Sequence, residues 1–401
     1  MIVSFIERRV VVDSEDMGVD GGMRRSVVLS NIMTATDSQP VDYRFSFGPW
    51  NISEGADPFG PDTREPLSFA KKLPIYQNLG FEGVQFHDDD AVPDLDDLSP
   101  AQVIDKAKAV KTQIEDHGLV AEFVAPRLWF NPKTIDGGYT SNSASDRQYA
   151  MDRSYRTIDI MNAMGTDLMV LWLAREGTYI REAKNCRKAM DLLVEAIDKM
   201  LEYDPNIRIA IEPKPNEPMD HTYIPTIGHA LALAHRCSDP SRVGGLIESA
   251  HAVLAGLDPS DEMAYALSHD KLWSVHLNDQ NGLKYDQDKA FGAVDLRRAF
   301  NQVRVLEEAG YGRRGEFIGI DVKALRTTRG ADAAQHLSNS KEFFLTLVDK
   351  VRSLDREQEA ALIEERDYEG LERFIINHLL GVGSPSARAI TQTASQQLVT
   401  S

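Results

Sequence analysis

Carboxylate and imidazole side chains recur at or just beyond the ends of short apolar runs in the second half of this chain. They are Glu212, Glu248, His251, His276, Asp286, Asp288 and Asp321. Five of these seven residues are acidic, and so many like charges gathered in one place would repel one another. Divalent cations relieve that repulsion, and oxygen and imidazole ligands suit a hard or borderline metal ion. The sequence therefore predicts a metal centre.

The spacing of these residues divides them into two sets. Glu212, Glu248, His276 and Asp321 each end one of the last four apolar runs, so they can converge on one ion. Glu248 can also bridge to a second ion that is held by His251, Asp286 and Asp288. Taken singly, an acidic residue at a strand end is more often a helix N-cap or an ion-pair partner. Seven candidates from four successive units favour the metal interpretation.

A histidine and three tryptophans add further chemistry. His87 precedes three aspartates in the stretch FHDDD. Histidine titrates near neutral pH and can act as acid or base, while a nearby aspartate fixes its tautomer. The alternative is a helix start with capping aspartates. Trp50, Trp129 and Trp172 end other apolar runs, where they would line the mouth of a site; core packing is the alternative.

These residues must be positioned by a repeating unit. Eight apolar runs are each followed by a helical pattern, and they predict strands at about 43–48, 82–87, 120–125, 167–172, 207–212, 243–248, 272–277 and 316–321. Alternating strands and helices form a parallel sheet. Eight such units favour an α/β fold of the (β/α)8 TIM-barrel type, whose chemistry lies at the C-terminal ends of its strands. No glycine-rich dinucleotide fingerprint follows the first strand.

The flanking segments differ from the barrel pattern. We expect residues 1–42 to form a disordered leader, 43–354 the catalytic barrel, and 355–401 a short helical C-terminal arm with a flexible tail. The apolar stripe of the arm comprises Leu371, Phe374, Ile375 and Leu379. It has no barrel strand left to cover, so we expect it to dock on a neighbouring subunit.

Composition narrows the possible partners and setting. The net charge of −18 argues against a nucleic acid or an anionic membrane surface. No apolar stretch is long enough for a transmembrane helix. The only two cysteines, Cys186 and Cys237, are far apart and predict no disulfide framework, so a reducing cytoplasm is the simplest setting.

Several stretches resemble D-xylose (glucose) isomerase. They are FSFGPW, DPFGPDTRE, FHDDD, DGGYTSN, REG after Trp172, IEPKPNEP, NGLKYDQDKAFG and INHLLG. The resemblance implies a (β/α)8 aldose–ketose isomerase that acts on a small-molecule sugar as a homo-oligomer, a tetramer or a dimer. It implies two divalent ions (Mn, Co or Mg) on the two sets of residues described above.

The same resemblance implies roles for residues around the metals. Lys214 would hold the carbonyl-end oxygen of the sugar, and His87 with Asp90 would assist ring opening. Trp50, Trp172 and Phe59 would form a dry wall, with Phe59 reaching in from a neighbouring subunit. We also expect Trp129 and Lys323 to contact the substrate.

Some residues depart from that family. His276 stands where the family has an aspartate, Trp129 where phenylalanine is usual, and Leu173-Ala174 where two glycines are usual. We expect these changes to alter the pocket lining and the choice of sugar. A histidine ligand resembles the rhamnose isomerases and ketose 3-epimerases, so a 3-epimerase is one alternative. A catalytically inactive metal-binding homologue is another, because Ala252 replaces an acidic residue of the family and the arm is short.

The histidine at position 276 predicts a metal preference. Replacing a carboxylate with a neutral imidazole removes one negative charge from the first metal site, and imidazole favours Mn or Co over Mg. After metal stripping, Mn²⁺ or Co²⁺ should therefore support faster turnover than Mg²⁺ on a panel of aldoses and ketoses. Equal or faster rates with Mg²⁺ would count against His276 as a ligand.

Overall fold

The computed structural model describes residues 40–57, 59–330 and 333–382. Most of the predicted leader, residues 1–39, lies outside the described residues, and so does the predicted tail from residue 383 onward. The domain limits given above therefore stay predictions. Among the described residues, no helix is both long enough and apolar enough to cross a membrane.

Eight parallel strands close into a barrel. The strands of the described residues are β1 Arg44–Phe47, β2 Gly83–His87, β3 Val120–Ala125, β4 Leu168–Trp172, β5 Gly177–Thr178, β6 Arg208–Glu212, β7 His221–Thr222, β8 Val243–Glu248, β9 Leu272–Leu277 and β10 Phe317–Ile320. The barrel order is β1-β10-β9-β8-β6-β4-β3-β2, and β5 pairs with β7 in a separate antiparallel ribbon. The predicted (β/α)8 barrel is confirmed.

Helices follow the barrel strands and cover their outer surface. They are α1 Phe69–Leu79, α2 Asp88–Ala91, α3 Pro100–Glu115, α4 Ala144–Met164, α5 Cys186–Tyr203, α6 Ile227–Ala234, α7 Ser249–Leu254, α8 Pro259–Ser268, α9 Leu296–Ala309, α10 Gln335–Arg352, α11 Arg356–Glu364 and α12 Tyr368–Leu380.

Local sequence explains how one of these helices begins and which face it buries. The Ser99 side chain accepts a hydrogen bond from the backbone N–H of Gln102, and Pro100 fits the first turn of α3. Val103, Ala107 and Ile114 then form the buried stripe of that helix. The predicted strands differ from the observed ones by one residue at most at either end. Strands of a parallel barrel are buried on both faces, so they appear in the sequence as continuous apolar runs.

The inside of the barrel is layered along its axis. Towards the N-terminal ends of the strands, the buried Glu122 carboxylate accepts hydrogen bonds from Ser46, Gln85 and Ser274. An apolar layer also lies inside the barrel, and it comprises Phe123, Ala125, Leu168, Val170, Ala210 and Leu246. Side chains alternate between the two faces of a strand, so Ala210 is followed inward by Glu212, and Leu246 by Glu248. The polar rim of the barrel therefore rests on a packed apolar layer.

The C-terminal helices pack on their own chain. Phe374 and Ile375 of α12 are buried in the main hydrophobic core, and Leu371 and Leu379 pack against that core. Lys350 of α10 donates a hydrogen bond to the backbone carbonyl of His378 at 2.8 Å. The prediction that this stripe docks on a neighbouring subunit is wrong. The pattern revealed an amphipathic helix, but the surface that covers its apolar face is formed by elements distant in sequence.

This packing predicts a stability difference between two apolar residues of one helix. Phe374→Ala should lower the free energy of unfolding by about 3 kcal/mol, because it removes a buried ring. Leu380 is 68% exposed, so Leu380→Ala is a matched control that should change stability by less than about 0.5 kcal/mol. Chemical denaturation measures the free energy of unfolding of both variants, and light scattering measures the mass of the oligomer. A lower oligomer mass with unchanged stability in Phe374→Ala would instead indicate an intersubunit role.

Candidate metal centre

Strand register brings the predicted site residues together at the C-terminal rim of the barrel. Trp172 at the end of β4 pairs with Glu212 at the end of β6. Glu248 at the end of β8 pairs with His276 on β9. Asp321 directly follows β10. Parallel strands of similar length therefore deliver these side chains to one level of the barrel.

Four side chains form the first group. Nδ1 of His276 lies 3.3 Å from a Glu212 oxygen, 3.7 Å from a Glu248 oxygen and 3.6 Å from Oδ2 of Asp321. Ligand atoms of Glu212, Glu248 and His276 all lie within 4.8 Å of one another, and these three side chains are buried. The other oxygen of Asp321 accepts hydrogen bonds from Trp50 at 2.9 Å and Asn51 at 2.6 Å.

A second group shares Glu248 with the first. His251 lies one turn beyond Glu248 on α7, and its Nε2 is 3.3 Å from Oε1 of Glu248. The same nitrogen lies 3.1 Å from Oδ2 of Asp286. Ligand atoms of Glu248, His251 and Asp286 lie within 4.8 Å of one another. The two groups overlap at Glu248, as expected for a carboxylate between two ions.

Two lysines distinguish the second group from the first. Lys214 lies 2.8 Å from Asp286, and Lys323 donates to Asp288. Asn278 approaches Glu248 at 2.8 Å and Asp288 at 3.3 Å. Asp288 also has a φ of 45°, a left-handed conformation that is uncommon outside glycine. The second group thus carries positive charge of its own, whereas no lysine or arginine pairs with the acids of the first group among the described residues.

Charge crowding shifts the protonation of the whole cluster. Burial opposes ionisation of Glu212, but His276 outweighs it and lowers the pKa of Glu212 to about 2. Burial raises the pKa of Glu248 well above its usual range, and Asp286 adds to this effect. Burial and Asp286 likewise raise the pKa of Asp288 to about 7. These acids cannot all be ionised together without added positive charge.

Two observations bear on whether these residues fit metal ions: the buried polar atoms that lack a hydrogen-bond partner, and the chemical types of the side chains present. Within the described ranges, six buried side-chain nitrogen or oxygen atoms have no hydrogen-bond partner. Three of them belong to His251, His276 and Asp286. Buried polar groups are normally paired, so their concentration at one place is unusual. Clustered carboxylates with imidazoles are a donor set for divalent cations, and these residues fit such ions.

A separate cluster of polar side chains at the C-terminal rim of the barrel surrounds His87. Its Nδ1 lies 2.8 Å from Oδ2 of Asp90, and the Arg127 guanidinium lies 3.0 Å from the other Asp90 oxygen. Burial opposes ionisation of Asp90, but His87 and Arg127 outweigh it and lower its pKa. Nη2 of Arg127 also lies 2.8 Å from Nδ1 of His87, so Asp90 and Arg127 together hold the imidazole through that nitrogen and leave Nε2 free of them. The alternative that these aspartates start a helix is confirmed, because Asp88 and Asp90 lie in the short helix α2 and Asp90 accepts a hydrogen bond from the backbone N–H of His87. A catalytic role of His87 stays a prediction.

Tryptophan rings line one side of a cavity of about 450 Å³ above the cluster. The ring centres of Trp129 and Trp172 are 4.6 Å apart, and those of Trp50 and His87 are 4.2 Å apart. Trp172 ends β4, but Trp50 lies in a turn beyond β1 and Trp129 in the loop after β3. The three rings therefore come from different loop geometries and meet only through the fold.

The cavity gathers nearly all of the predicted site residues. It is lined by Trp50, His87, Trp129, Trp172, Glu212, Lys214, Glu248, His251, His276, Asp286, Asp288, Asp321 and Lys323. Asp90 lies behind His87 and does not line the cavity, and Phe59 does not line the cavity of its own chain. Leu173 and Ala174 are buried and do not line it either, so the prediction that they alter the pocket lining is wrong.

Sequence reasoning missed Arg127, Asn278 and Arg175. The sequence pattern could have identified Arg127 and Asn278. The lysines that were predicted, Lys214 and Lys323, each stand two residues after an acid at a strand end. Side chains alternate along a strand, so a residue two positions further on returns to the same face. Asn278 has that relation to His276, and Arg127 to Ala125 at the end of β3. A second cavity of about 380 Å³ lies at the opposite end of the barrel, and its lining contains no predicted site residue.

Comparisons with known proteins agree with this architecture. The family model described as "Xylose isomerase-like TIM barrel" matches residues 74–328. Among solved structures, an L-ribulose 3-epimerase aligns with a TM-score of 0.59 at 14% identity, covering 80% of this chain and 98% of that one. A xylose isomerase domain protein from Alicyclobacillus acidocaldarius subsp. acidocaldarius aligns with a TM-score of 0.54 at 14% identity. The alignment covers 77% of this chain and 100% of that one. An IOLI protein with a binding zinc atom aligns with a TM-score of 0.54 at 14% identity, and the alignment covers 77% of this chain and 99% of that one. At these identities the likeness shows the fold.

The shared position of Glu248 predicts how metal affects stability. In wild type, Mn²⁺ at 100 times its dissociation constant should stabilise the chain by about 3 kcal/mol. Glu248→Gln should abolish that gain, because both groups lose a ligand. The metal-free variant should be at least as stable as wild type, since glutamine resembles the protonated acid that the raised pKa of Glu248 favours.

Glu122→Gln provides the matched control, because it alters another buried carboxylate inside the same barrel. The free energy of unfolding of wild type, Glu248→Gln and Glu122→Gln is measured by chemical denaturation with and without Mn²⁺. The metal assignment fails if Glu248→Gln responds to Mn²⁺ as wild type does.

Proposed function

Because this chain belongs to the xylose isomerase-like TIM-barrel family, we propose that it is a metal-dependent aldose–ketose isomerase. It interconverts a pentose or hexose aldose with its 2-ketose. One observation carries the proposal: the two overlapping groups that share Glu248 lie beside Lys214 in one tryptophan-lined cavity.

Two divalent ions, Mn, Co or Mg, are proposed as cofactors. Glu212, Glu248, His276 and Asp321 would hold the first. The second would be held by Glu248, His251, Asp286 and Asp288. When bound, the ions supply Lewis acidity toward the sugar oxygens. All other functions in the site fall to the side chains around them.

Lys214 is proposed to bind the oxygen at the carbonyl end of the open-chain sugar. Burial alone would favour the neutral amine, but Asp286 outweighs it and raises the pKa of Lys214 above its usual value. Lys214 is therefore a buried, permanently charged donor. Its ammonium lies 5.1 Å from the ring centre of Trp172, so an oxygen bound there would also be shielded from water.

His87 and Asp90 are proposed to open the cyclic sugar. With Nδ1 donating to Asp90, Nε2 can accept the proton of the anomeric hydroxyl and return a proton to the ring oxygen. His87 and Arg127 lower the pKa of Asp90, and Arg127 also contacts Nδ1 of His87 at 2.8 Å, so the imidazole is fixed in orientation by both residues. The Trp50 and Trp129 rings pack around the imidazole and limit its movement.

The tryptophan wall favours direct transfer of hydrogen between C1 and C2. Trp50, Trp129 and Trp172 line the cavity, and with substrate bound they would keep water from the place where the hydrogen moves and so prevent its exchange with solvent. No side chain then needs to remove a proton from carbon. Sequence resemblance to the D-xylose isomerases supports the same route.

His276 favours a second candidate, a ketose 3-epimerase. Its imidazole sits within the first group, at the position where the D-xylose isomerases have an aspartate. An L-ribulose 3-epimerase is also among the proteins of similar fold. An epimerase would use a carboxylate base and an enediol, and that carboxylate would exchange the carbon-bound hydrogen with solvent.

We also propose that the active form is a homo-oligomer. Phe59 is 72% exposed in the loop after β1 and packs edge-on against Tyr285, with ring centres 4.9 Å apart. Phe130, in the loop after β3 and lining the cavity, is equally open to solvent. Both rings lie in loops at the C-terminal end of the barrel, where a second copy could cover them.

Product analysis with labelled substrate tests the function. Aldoses carrying deuterium at C2 should yield 2-ketoses that retain the deuterium when Mn²⁺- or Co²⁺-loaded enzyme works in ordinary water. Mass spectrometry and NMR of the products measure both the sugar and the label. Two ketoses with complete loss of label would identify the epimerase instead. Metal binding without turnover of any sugar would indicate an inactive homologue.

The matched variants for that experiment are Lys214→Met and Glu122→Gln. Loss of the Lys214 ammonium should lower kcat at least about 100-fold, because a charged donor to the reacting oxygen is removed. Glu122 lies beyond the apolar layer of the barrel, so Glu122→Gln should retain turnover near that of wild type.

A further inference from the structure

The two carboxylate oxygens of Asp321 have different partners. Oδ2 lies 3.6 Å from Nδ1 of His276, on the side of the first group. Oδ1 accepts two hydrogen bonds, one from Nε1 of Trp50 at 2.9 Å and one from Nδ2 of Asn51 at 2.6 Å. A carboxylate oxygen has two lone pairs, so two donors use the capacity of Oδ1. Oδ2 is therefore the oxygen that remains for a metal ion.

The buried amide of Asn51 has one possible orientation. Its Oδ1 accepts a hydrogen bond from the backbone N–H of Gly48 at 2.8 Å, and its Nδ2 donates to the backbone carbonyl of Val322 at 3.1 Å. A backbone N–H can only donate and a backbone carbonyl can only accept, so these two partners identify the amide nitrogen. That nitrogen is the atom that contacts Asp321, and the contact is therefore a donated hydrogen bond.

The turn that carries both donors is held from outside by two helices. It is the short 3-10 turn Pro49–Asn51, directly beyond β1. Lys72 of α1 donates from Nζ to the backbone carbonyl of Pro49 at 2.7 Å. Nε2 of His336, on α10, lies 2.8 Å from the backbone carbonyl of Asn51. Contacts from helices far apart in the chain fix the turn, so its two side-chain donors are pre-organised.

We propose that Trp50 and Asn51 are positioning residues of the first metal site. They hold Oδ1 of Asp321, so that Asp321 binds the first ion through Oδ2 alone. A carboxylate can bind an ion through one oxygen or through two, and binding through one leaves a position on the ion for a sugar oxygen. The resemblance to D-xylose isomerase covers FSFGPW, which ends at Trp50, and so gives no role to Asn51. This inference rests on the proposed function, whose first metal site it describes further.

A purely structural role for Asn51 has to be separated from this one. Because its Oδ1 accepts the backbone N–H of Gly48, Asn51 could merely stabilise the turn. Loss of such a role would disturb the binding of both ions and would not depend on Asp321. Loss of the positioning role acts through Asp321, and so it affects the first ion.

Metal binding without sugar tests the inference. Asp286→Asn removes a ligand of the second ion only, so this background reports the first ion. In it, Asn51→Leu and Trp50→Phe should each weaken Mn²⁺ binding about 10- to 100-fold in calorimetric titration, because both remove a donor that orients a ligand. The visible absorption of bound Co²⁺ should change in the same proteins, since the geometry of the first site changes. Trp50→Phe keeps an aromatic ring, and it provides the test if Asn51→Leu does not fold.

Two further variants show whether the effect passes through Asp321. In an Asp321→Asn background the second ion can still bind, and adding Asn51→Leu should change its affinity less than about 3-fold, because the carboxylate that Asn51 orients is already gone. Asn162→Leu is the chemical control. Asn162 donates from Nδ2 to Asp204 at 2.7 Å, which is the same kind of bond, and neither residue lines the cavity. This variant should bind Mn²⁺ and Co²⁺ as wild type does.

Three results would overturn the inference. They are unchanged affinity for the first ion in either variant that folds, an equal loss of affinity for the second ion when Asp321 is already replaced, and absence of Mn²⁺ binding by wild type. The last result would remove the proposed metal centre as well. The isomerase can fail separately. If binding of the first ion depends on Trp50 and Asn51 but no sugar is turned over, the positioning role stands and the isomerase proposal does not.

Discussion

Repulsion among buried acids is the constraint on which the rim of this barrel depends. Glu212, Glu248 and Asp321 converge around His276, and Asp286 and Asp288 add two more carboxylates beside them. Burial makes each negative charge costly, and together with the neighbouring Asp286 it raises the pKa values of Glu248 and Asp288. Cations are the general solution to this problem, and the chain provides some of its own through Lys214 and Lys323.

The scaffold withstands this repulsion because it fixes each acid from behind. Asp321 is held through one oxygen by Trp50 and Asn51, and Asn278 spans from Glu248 to Asp288. Strand register sets Glu248 beside His276. Beneath them lies an apolar layer that excludes water from the barrel interior. Rigid support of this kind keeps ligand atoms a few ångströms apart even where electrostatics would separate them.

The cavity above the cluster has two chemically different sides. Tryptophan rings and His87 form one wall, while Lys214, Lys323 and Arg175 present donors. Such a division suits a polyol that must be held by its oxygens and kept from water at its reacting carbons.

The sequence by itself determined the strands and most of the rim. Buried parallel strands need continuous apolar runs, and the residue that ends each run must emerge at the same face, so Glu212, Glu248, His276 and Asp321 could be named without coordinates. Only the tertiary structure decided which side chains form ion pairs with one another and which surface covers the apolar face of α12. The pairing of Arg127 with Asp89 and Asp90, of Lys323 with Asp288, and of α12 with its own barrel joins segments far apart in the chain. Periodicity records which face of an element is buried, but the group that covers or neutralises it is set by loop paths that no local pattern encodes.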